Sequence, residues 1–440
     1  MKKNSILFHV IGILTFMTVN VSSASAEEPK TWKYGLYNQV CSGVNIHFVE
    51  GHEADLDMIA AAGLKFIRMD FVWHNIELSR GVFDWSAYDE LTANLKKRGL
   101  AALYILDYSN PLYEEEVESK DPITGEVQRG TAAPSKPETV AAFAHWAASA
   151  AEHFKENNII WEIWNEPNIT FWRPEPDVTK YNALAAAACK AIKLADPNSF
   201  IIGPATSQIP LPFIESFLSS GIIEYLDGVS IHPYREYSKS PETAIDDYRK
   251  VSAMIDKYAP AGKKEIPVIS SEWGYSSATK GLSEDTQAEY IVRMQLINMM
   301  YGIPLSIWYD WKNDGTEPGN FEHNCGTVTY DLKPKPAYTA IKTMNTQLNG
   351  FTFVKRIEGK DVNDYILLFR NGNDRYKITA WTSDSAHSIV IEAKIPKVKE
   401  CIITDGKGNR LTTINDKESL VIEIEELPQY ISLPDGFTPK

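Results

Sequence analysis

The fold class that this 440-residue sequence predicts is a (β/α)8 barrel followed by a small antiparallel β-sandwich, and three observations predict it. From about residue 42 to residue 350, short apolar runs alternate with longer amphipathic stretches, the pattern of parallel strands joined by helices. Eight such pairs can be counted, which suits a closed barrel better than a doubly wound sheet. After about residue 350 the runs become short and alternating, punctuated by Gly372, Gly406 and Gly408, as in an antiparallel sandwich.

The predicted barrel strands are residues 44–48, 66–73, 101–107, 159–164, 200–204, 228–232, 267–272 and 305–310. The helical patterns between them cover 53–62, 85–97, 137–156, 179–195, 212–218, 241–258, 284–301 and 336–348. Gly63 and Gly99 end helices, and Ser283 ahead of Glu284 and Asp285 starts one. Residues 111–134, long and polar, follow the third strand on the face where barrel sites form; a substrate-facing insertion and a solvated excursion are both open readings. The sandwich strands are predicted at 364–370, 376–381, 388–393, 400–404 and 418–423, giving a barrel over 27–350 and a sandwich over 351–440. Residues 27–40 could join either domain.

Residues 1–26 have a basic tip, an apolar stretch and the small-residue site Ala24-Ser25-Ala26, so they read as a signal peptide, with a short membrane anchor as the alternative. The implied location is periplasmic, cell-surface or extracellular, and no other membrane span is expected. Losing Lys2 and Lys3 with the leader takes the formal charge from −14 to −16, a field that repels nucleic acid and other polyanions at long range. Cys41, Cys189, Cys325 and Cys401 lie far apart without a CxxC pair, against the common zinc and redox spacings. Export permits disulfides without requiring them.

Two strand ends carry the chemistry. Ile163-Trp164-Asn165-Glu166-Pro167-Asn168 ends the fourth strand and Ile269-Ser270-Ser271-Glu272-Trp273-Gly274 the seventh. Carboxyl groups at C-terminal strand ends sit at the barrel mouth, and strands four and seven face each other across it. Such a pair, about 5–5.5 Å apart, is what cleavage of a glycosidic bond with retention requires: one proton donor and one nucleophile. A partly dry site should keep Glu166 protonated and leave Glu272 ionised through its hydrogen bonds.

These motifs resemble the retaining (β/α)8 glycosidase clan, clan A, which includes families 5, 10 and 39, and the resemblance covers the whole barrel. It implies Glu166 as acid/base, Glu272 as nucleophile and Asn165 as donor to the sugar 2-hydroxyl. Arg68 then keeps Glu272 anionic, Tyr234 hydrogen-bonds it, and Trp308 is the sugar platform. Within the clan, Gly43-Val44-Asn45-Ile46-His47-Phe48, Arg68-Met69-Asp70-Phe71-Val72-Trp73, the Asp107-to-Tyr113 segment and the sandwich resemble family 39, nearest its exopolysaccharide-cleaving endoglycosidases. His232 either touches substrate or is structural. His47, Trp73, Asn110, Tyr113, Trp172 and Trp311 are further candidates at strand ends or in the loops after them, with aromatic packing as the competing reading. Glu162 is expected inside the barrel as partner to a buried cation.

The resemblance implies a secreted retaining hydrolase of β-linked oligo- or polysaccharide, endo-acting, with carbohydrate as its partner and no obligate protein partner. The alternatives are an exo-acting β-glycosidase or β-xylosidase, and a carbohydrate-binding barrel that has lost catalysis. Neither a Walker nor a dinucleotide loop, an HExxH nor a GxSxG motif is present, so no cofactor and no catalytic metal are expected.

Overall fold

In this computed structural model the described residues are 41–120, 125–263, 265–391, 395, 398–411, 414–416 and 419–437. The expected leader, residues 27–40 and the ends of two predicted strands, residues 392–393 and 418, lie outside them.

Eight parallel strands close the barrel: β1 (Ser42–Asn45), β2 (Phe66–Val72), β3 (Ala101–Asp107), β6 (Ile160–Ile163), β7 (Phe200–Ser207), β8 (Gly228–His232), β9 (Val268–Trp273) and β10 (Ser306–Trp308), with β10 pairing back to β1. Helices α1 (Glu53–Ala61), α2 (Trp73–Ile76), α3 (Ser86–Lys97), α4 (Pro137–His153), α5 (Val178–Ala195), α6 (Leu211–Ser219), α7 (Ile245–Tyr258), α8 (Glu284–Met300) and α9 (Pro336–Gln347) link them. Local chemistry sets several starts: Asp177 accepts from the amides of Thr179 and Lys180 at α5, Ser283 from Thr286 at α8, and proline opens α4 and α9. Among the described residues no helix is long and apolar enough to cross a membrane.

Alternation along the strands separates two apolar layers. Phe66, Leu103, Ile105, Ile160, Phe200, Ile202, Ile269 and Ile307 fill the barrel interior, while Val44, Ile67, Phe71, Tyr104, Trp161 and Trp308 face the helices. Each buried Ile or Leu contributes about 1.5–3 kcal/mol relative to exposure. Gly43 on β1 is required by packing, because a Cβ there would meet Ile307 Cδ1 at 2.5 Å and the Phe66 carbonyl oxygen at 2.6 Å.

The insertion after β3 is not structureless: β4 (Glu116–Lys120) and β5 (Val127–Thr131) form an antiparallel hairpin. Its polar residues alternate without an apolar face, which is why the sequence reads as loop.

From Phe351 onward the chain is antiparallel. β11 (Phe351–Ile357), β12 (Asp364–Asn371), β13 (Tyr376–Thr382), β19 (Gln429–Ser432), β15 (Ile402–Thr404) and β16 (Arg410–Leu411) make one sheet. β14 (His387–Ile391), β18 (Ser419–Ile424) and β17 (Ile414–Asp416) make the other, and Leu368, Ile378, Ile391, Leu420, Ile422 and Ile431 belong to the shared core. A buried polar clamp ties this sandwich to the barrel. Arg293 on α8 donates to both oxygens of Glu242, at 2.8 and 2.7 Å, and Trp381 on β13 donates to the same carboxylate at 2.9 Å. All four cysteines are buried free thiols.

Candidate active site

Arg68 organises the barrel mouth. It points inward from β2, 1% exposed, and an arginine has five N–H donors and no acceptor. Each donor has its own partner. Nε donates to Glu162 at 2.8 Å; Nη1 to Asn45 at 3.1 Å and to Glu272; Nη2 to Asn165 at 2.8 Å and towards His232 Nε2 at 3.4 Å. Glu162 neutralises the cation from below.

Both oxygens of Glu272 are therefore held, Oε2 by Arg68 and Oε1 by the Tyr234 hydroxyl at 2.7 Å. Burial alone would push the Glu272 carboxyl up. Attraction from the Arg68 guanidinium, with hydrogen bonds from Tyr234 and Arg68, outweighs burial and holds it below the usual carboxylate range. Tyr234 stays a donor, because burial and the Glu272 charge push its own pKa well up.

Glu166 is placed by its backbone. Trp164 and Glu166 have φ of 66° and 46°, left-handed values that cost non-glycine residues about 1–3 kcal/mol, and the Glu166 amide is anchored on the Ala205 carbonyl at 2.9 Å. His232 Nδ1 lies 3.0 Å from Glu166 Oε1. Arg68 faces Nε2 and can only donate, so the ring proton sits on Nδ1 and Oε1 accepts it. Any acid proton on Glu166 must then occupy Oε2. Asn165 gives its oxygen to Arg68 and one Nδ2 hydrogen to the Tyr108 hydroxyl at 3.0 Å, leaving the second for a ligand hydroxyl.

One carboxylate oxygen from each of Glu166 and Glu272, with a ring nitrogen of His232, lie within 4.8 Å of one another. His47, Asp310 and Asp314 bring one atom each equally close. Neither group suits a metal ion: His232 Nδ1 serves Glu166, and His47 Nδ1 serves Asp314 at 3.0 Å. Deeper in the mouth, burial raises the pKa of both Asp70 and Asp107. Asp107 finds no N–H or O–H donor, so a proton shared with Asp70 satisfies it.

The structure thus brings together Arg68, Asn165, Glu166, His232, Tyr234 and Glu272. It does not bring the other aromatic candidates to the cleft. Trp308 is fully buried and donates to the Cys325 carbonyl at 3.1 Å. Ile307 points into the barrel, so Trp308 points out at the helices and Tyr309 returns to the mouth. Tyr309 is half-buried, its hydroxyl donates to Glu322 at 2.7 Å and its ring lies 5.6 Å from that of His47, which makes it the aromatic that strand eight offers. The alternation Leu305, Ile307, Tyr309 was the available signal. Trp73 shares the outward parity of Ile67 and Phe71; it donates to Glu77 at 2.6 Å and stacks on Trp146. Trp311 donates to Asp55 at 2.9 Å, and Trp172 packs on Trp164 and Tyr181. Asn110 spends its amide on the Glu77 carbonyl and the Leu112 amide, and Tyr113 donates to Glu77, so both brace the β3 loop. His232 is fully buried, and among the candidates His47 remains open to the cleft. Asn45, Tyr108, Asp70 and Tyr309 are mouth residues that sequence reasoning missed.

A parallel barrel with two glutamates facing across its mouth, on strands four and seven by barrel count, defines a glycoside hydrolase of clan A. The chain belongs to the family described as Cellulase (glycosyl hydrolase family 5), whose model matches residues 37–315. Among solved structures it is similar to a family 39 glycoside hydrolase from the gut symbiont Bacteroides cellulosilyticus WH2, at 25% identity and TM-score 0.77 over 91% of this chain and 82% of that one. It shares its fold with a family 39 β-xylosidase from Caulobacter crescentus, at 17% identity and TM-score 0.64 over 90% and 96% of the two chains. A curated β-xylosidase from Caldicellulosiruptor saccharolyticus is 24% identical over 204 residues, which span 43% of this chain and 41% of that protein.

Proposed function

We propose that the chain hydrolyses β-linked glycosides with retention of anomeric configuration. The observation that carries this is the carboxylate spacing: oxygens of Glu166 and Glu272 lie within 4.8 Å, with Oε1 of one and both oxygens of the other already held. Retaining enzymes place their carboxyl groups about 5–5.5 Å apart, and inverting ones leave roughly 6.5–9.5 Å for a water.

In the first step a Glu272 oxygen attacks the anomeric carbon as the bond to the leaving oxygen breaks, and that oxygen takes the Glu166 proton. In the second, Glu166 takes a proton from water, the water oxygen attacks the same carbon and the ester to Glu272 breaks. In this reading the Asn165 hydrogen not given to Tyr108 donates to the neighbouring hydroxyl. Xylosides come first among substrates, because two of the similar proteins are β-xylosidases. Endo action and export belong to the same proposal, supported by the branch resemblance and the leader-like residues 1–26.

The test is product analysis on aryl β-glycosides and β-linked polysaccharides, beginning with xylosides and xylan. Retained products support the mechanism, and oligosaccharides rather than single sugars support endo action. Tight binding with no turnover across the panel favours the carbohydrate-binding alternative. Recovery of the native protein outside the cytoplasm, shortened at residue 26, supports export.

A further inference from the structure

The hydrogen-bond chain from Arg68 does not stop at Asn45. Arg68 Nη1 donates to Asn45 Oδ1 at 3.1 Å, so the amide presents its oxygen inward and its Nδ2 outward, to His47 Nε2 at 3.2 Å. Nε2 must accept there. That puts the ring proton on Nδ1, which lies 3.0 Å from Asp314 Oδ1. Each link sets the polarity of the next. Asn45 is buried and is the direct partner of Arg68 across the β1–β2 register, whereas Asp314 sits exposed on the rim after β10.

The charged groups facing His47 test this assignment. They are Asp70 from β2, Asp310 and Asp314 after β10, and Glu322 from the turn at 322–324, beside the Tyr309 ring. Burial lowers the His47 pKa, and the Asp314 hydrogen bond with the charges of Asp310, Asp314 and Asp70 outweighs it, towards about 9. Yet burial also pushes Asp70 and Asp310 towards their neutral forms, which removes their share of the charge that would hold an imidazolium and leaves that of Asp314. An imidazolium would also set Nε2–H against the Asn45 amide hydrogens. Turning Asn45 over would set those hydrogens against Arg68 instead. A protonated His47 and the Arg68–Asn45 contact exclude each other.

We propose that His47 is a positioning residue for the nucleophile: its neutral Nδ1–H tautomer, set by Asp314, holds Asn45 against Arg68 and so holds Arg68 on Glu272. The catalytic role rests on Glu272 being the nucleophile; the direction of the donors does not.

The experiment has two readouts on the full chain. Histidine-ring 15N spectra at neutral pH, assigned with His47→Gln, should show His47 neutral with its proton on Nδ1. In Asn45→Asp, whose carboxylate can accept from Arg68 and from Nε2–H together, the ring should become an imidazolium. A wild-type imidazolium, or a proton on Nε2, overturns the proposal. In turnover of an aryl glycoside, Asp314→Ala should lose about 10-fold in kcat with KM nearly unchanged. Asp314→Asn, whose oxygen still accepts from Nδ1–H, should restore most of it. Equal losses in both variants, or a loss confined to KM, contradict positioning. If the wild type turns over no glycoside, the hydrolase reading fails and the spectra still decide the chain.

Discussion

Two buried arginines show what distinguishes a site from a clamp. Arg293, at the junction of barrel and sandwich, spends two donors on one carboxylate, Glu242, which also accepts from Trp381. Arg68, at the barrel mouth, divides its donors among Glu162, Asn45, Glu272, Asn165 and His232. Both are almost wholly buried and both face a carboxylate. In the clamp both oxygens of Glu242 are taken by structural partners. The hub instead orients four side chains whose remaining atoms turn to the cleft: one Asn165 hydrogen, the Glu166 Oε2, the Glu272 carboxylate and, through Asn45, the His47 ring.

That contrast predicts opposite phenotypes. The largest effect falls on activity: Glu272→Gln removes the nucleophile and should lower kcat by on the order of 10³-fold or more with the melting temperature little changed. Arg68→Lys keeps the charge but loses the planar fork, so kcat should fall about 100-fold. Activity retained within threefold in that variant would deny Arg68 its organising role.

At the clamp the order reverses. Arg293→Met strands a buried Glu242 and should cost about 3–5 kcal/mol in denaturant unfolding, while kcat/KM at a permissive temperature stays within a few-fold. Trp381→Phe removes one donor to the same carboxylate and should cost about 1–2 kcal/mol.

The smallest effect is pH-dependent. Near the clamp, Glu289 lines a cavity of about 520 Å³ together with Asp285, Glu425 and Glu426. Burial, then the charge of Glu426, raises its pKa to about 7. A carboxyl raised on folding contributes stability at low pH that is lost as pH rises from its ordinary value through about 7. Glu289→Gln should therefore stabilise the protein at pH 8 by on the order of 1 kcal/mol, discounted for partial exposure, and change little at pH 4.

Much of the barrel was legible because strand and helix leave different periods in the sequence. Residues 101–107 and 228–232 were read to the residue as Ala101–Asp107 and Gly228–His232, and the two glutamates stand at strand ends. Side-chain direction was less legible. Trp308 was read as a cleft residue and Trp73 as either a cleft or a packing residue, both because they end strands, and parity turns both towards the helices. Asn45, Asp70 and Tyr309 are mouth residues by the same parity, but none was singled out as a site residue. The hairpin at β4 and β5 and the short β16, β17 and β19 carry too few alternating residues to stand out from loop. The hydrogen bonds radiating from Arg68 depend on partners far apart in sequence, and no local pattern encodes them.

The central claim is that Glu272 forms a covalent bond to the sugar. Incubation with a 2-deoxy-2-fluoro glycoside bearing a good leaving group, followed by mass mapping of the trapped protein, tests it directly. The account predicts one added glycosyl group on the peptide carrying Glu272, and none in Glu272→Gln. A label on another residue, or rapid turnover with inverted product and no trapped intermediate, would contradict it.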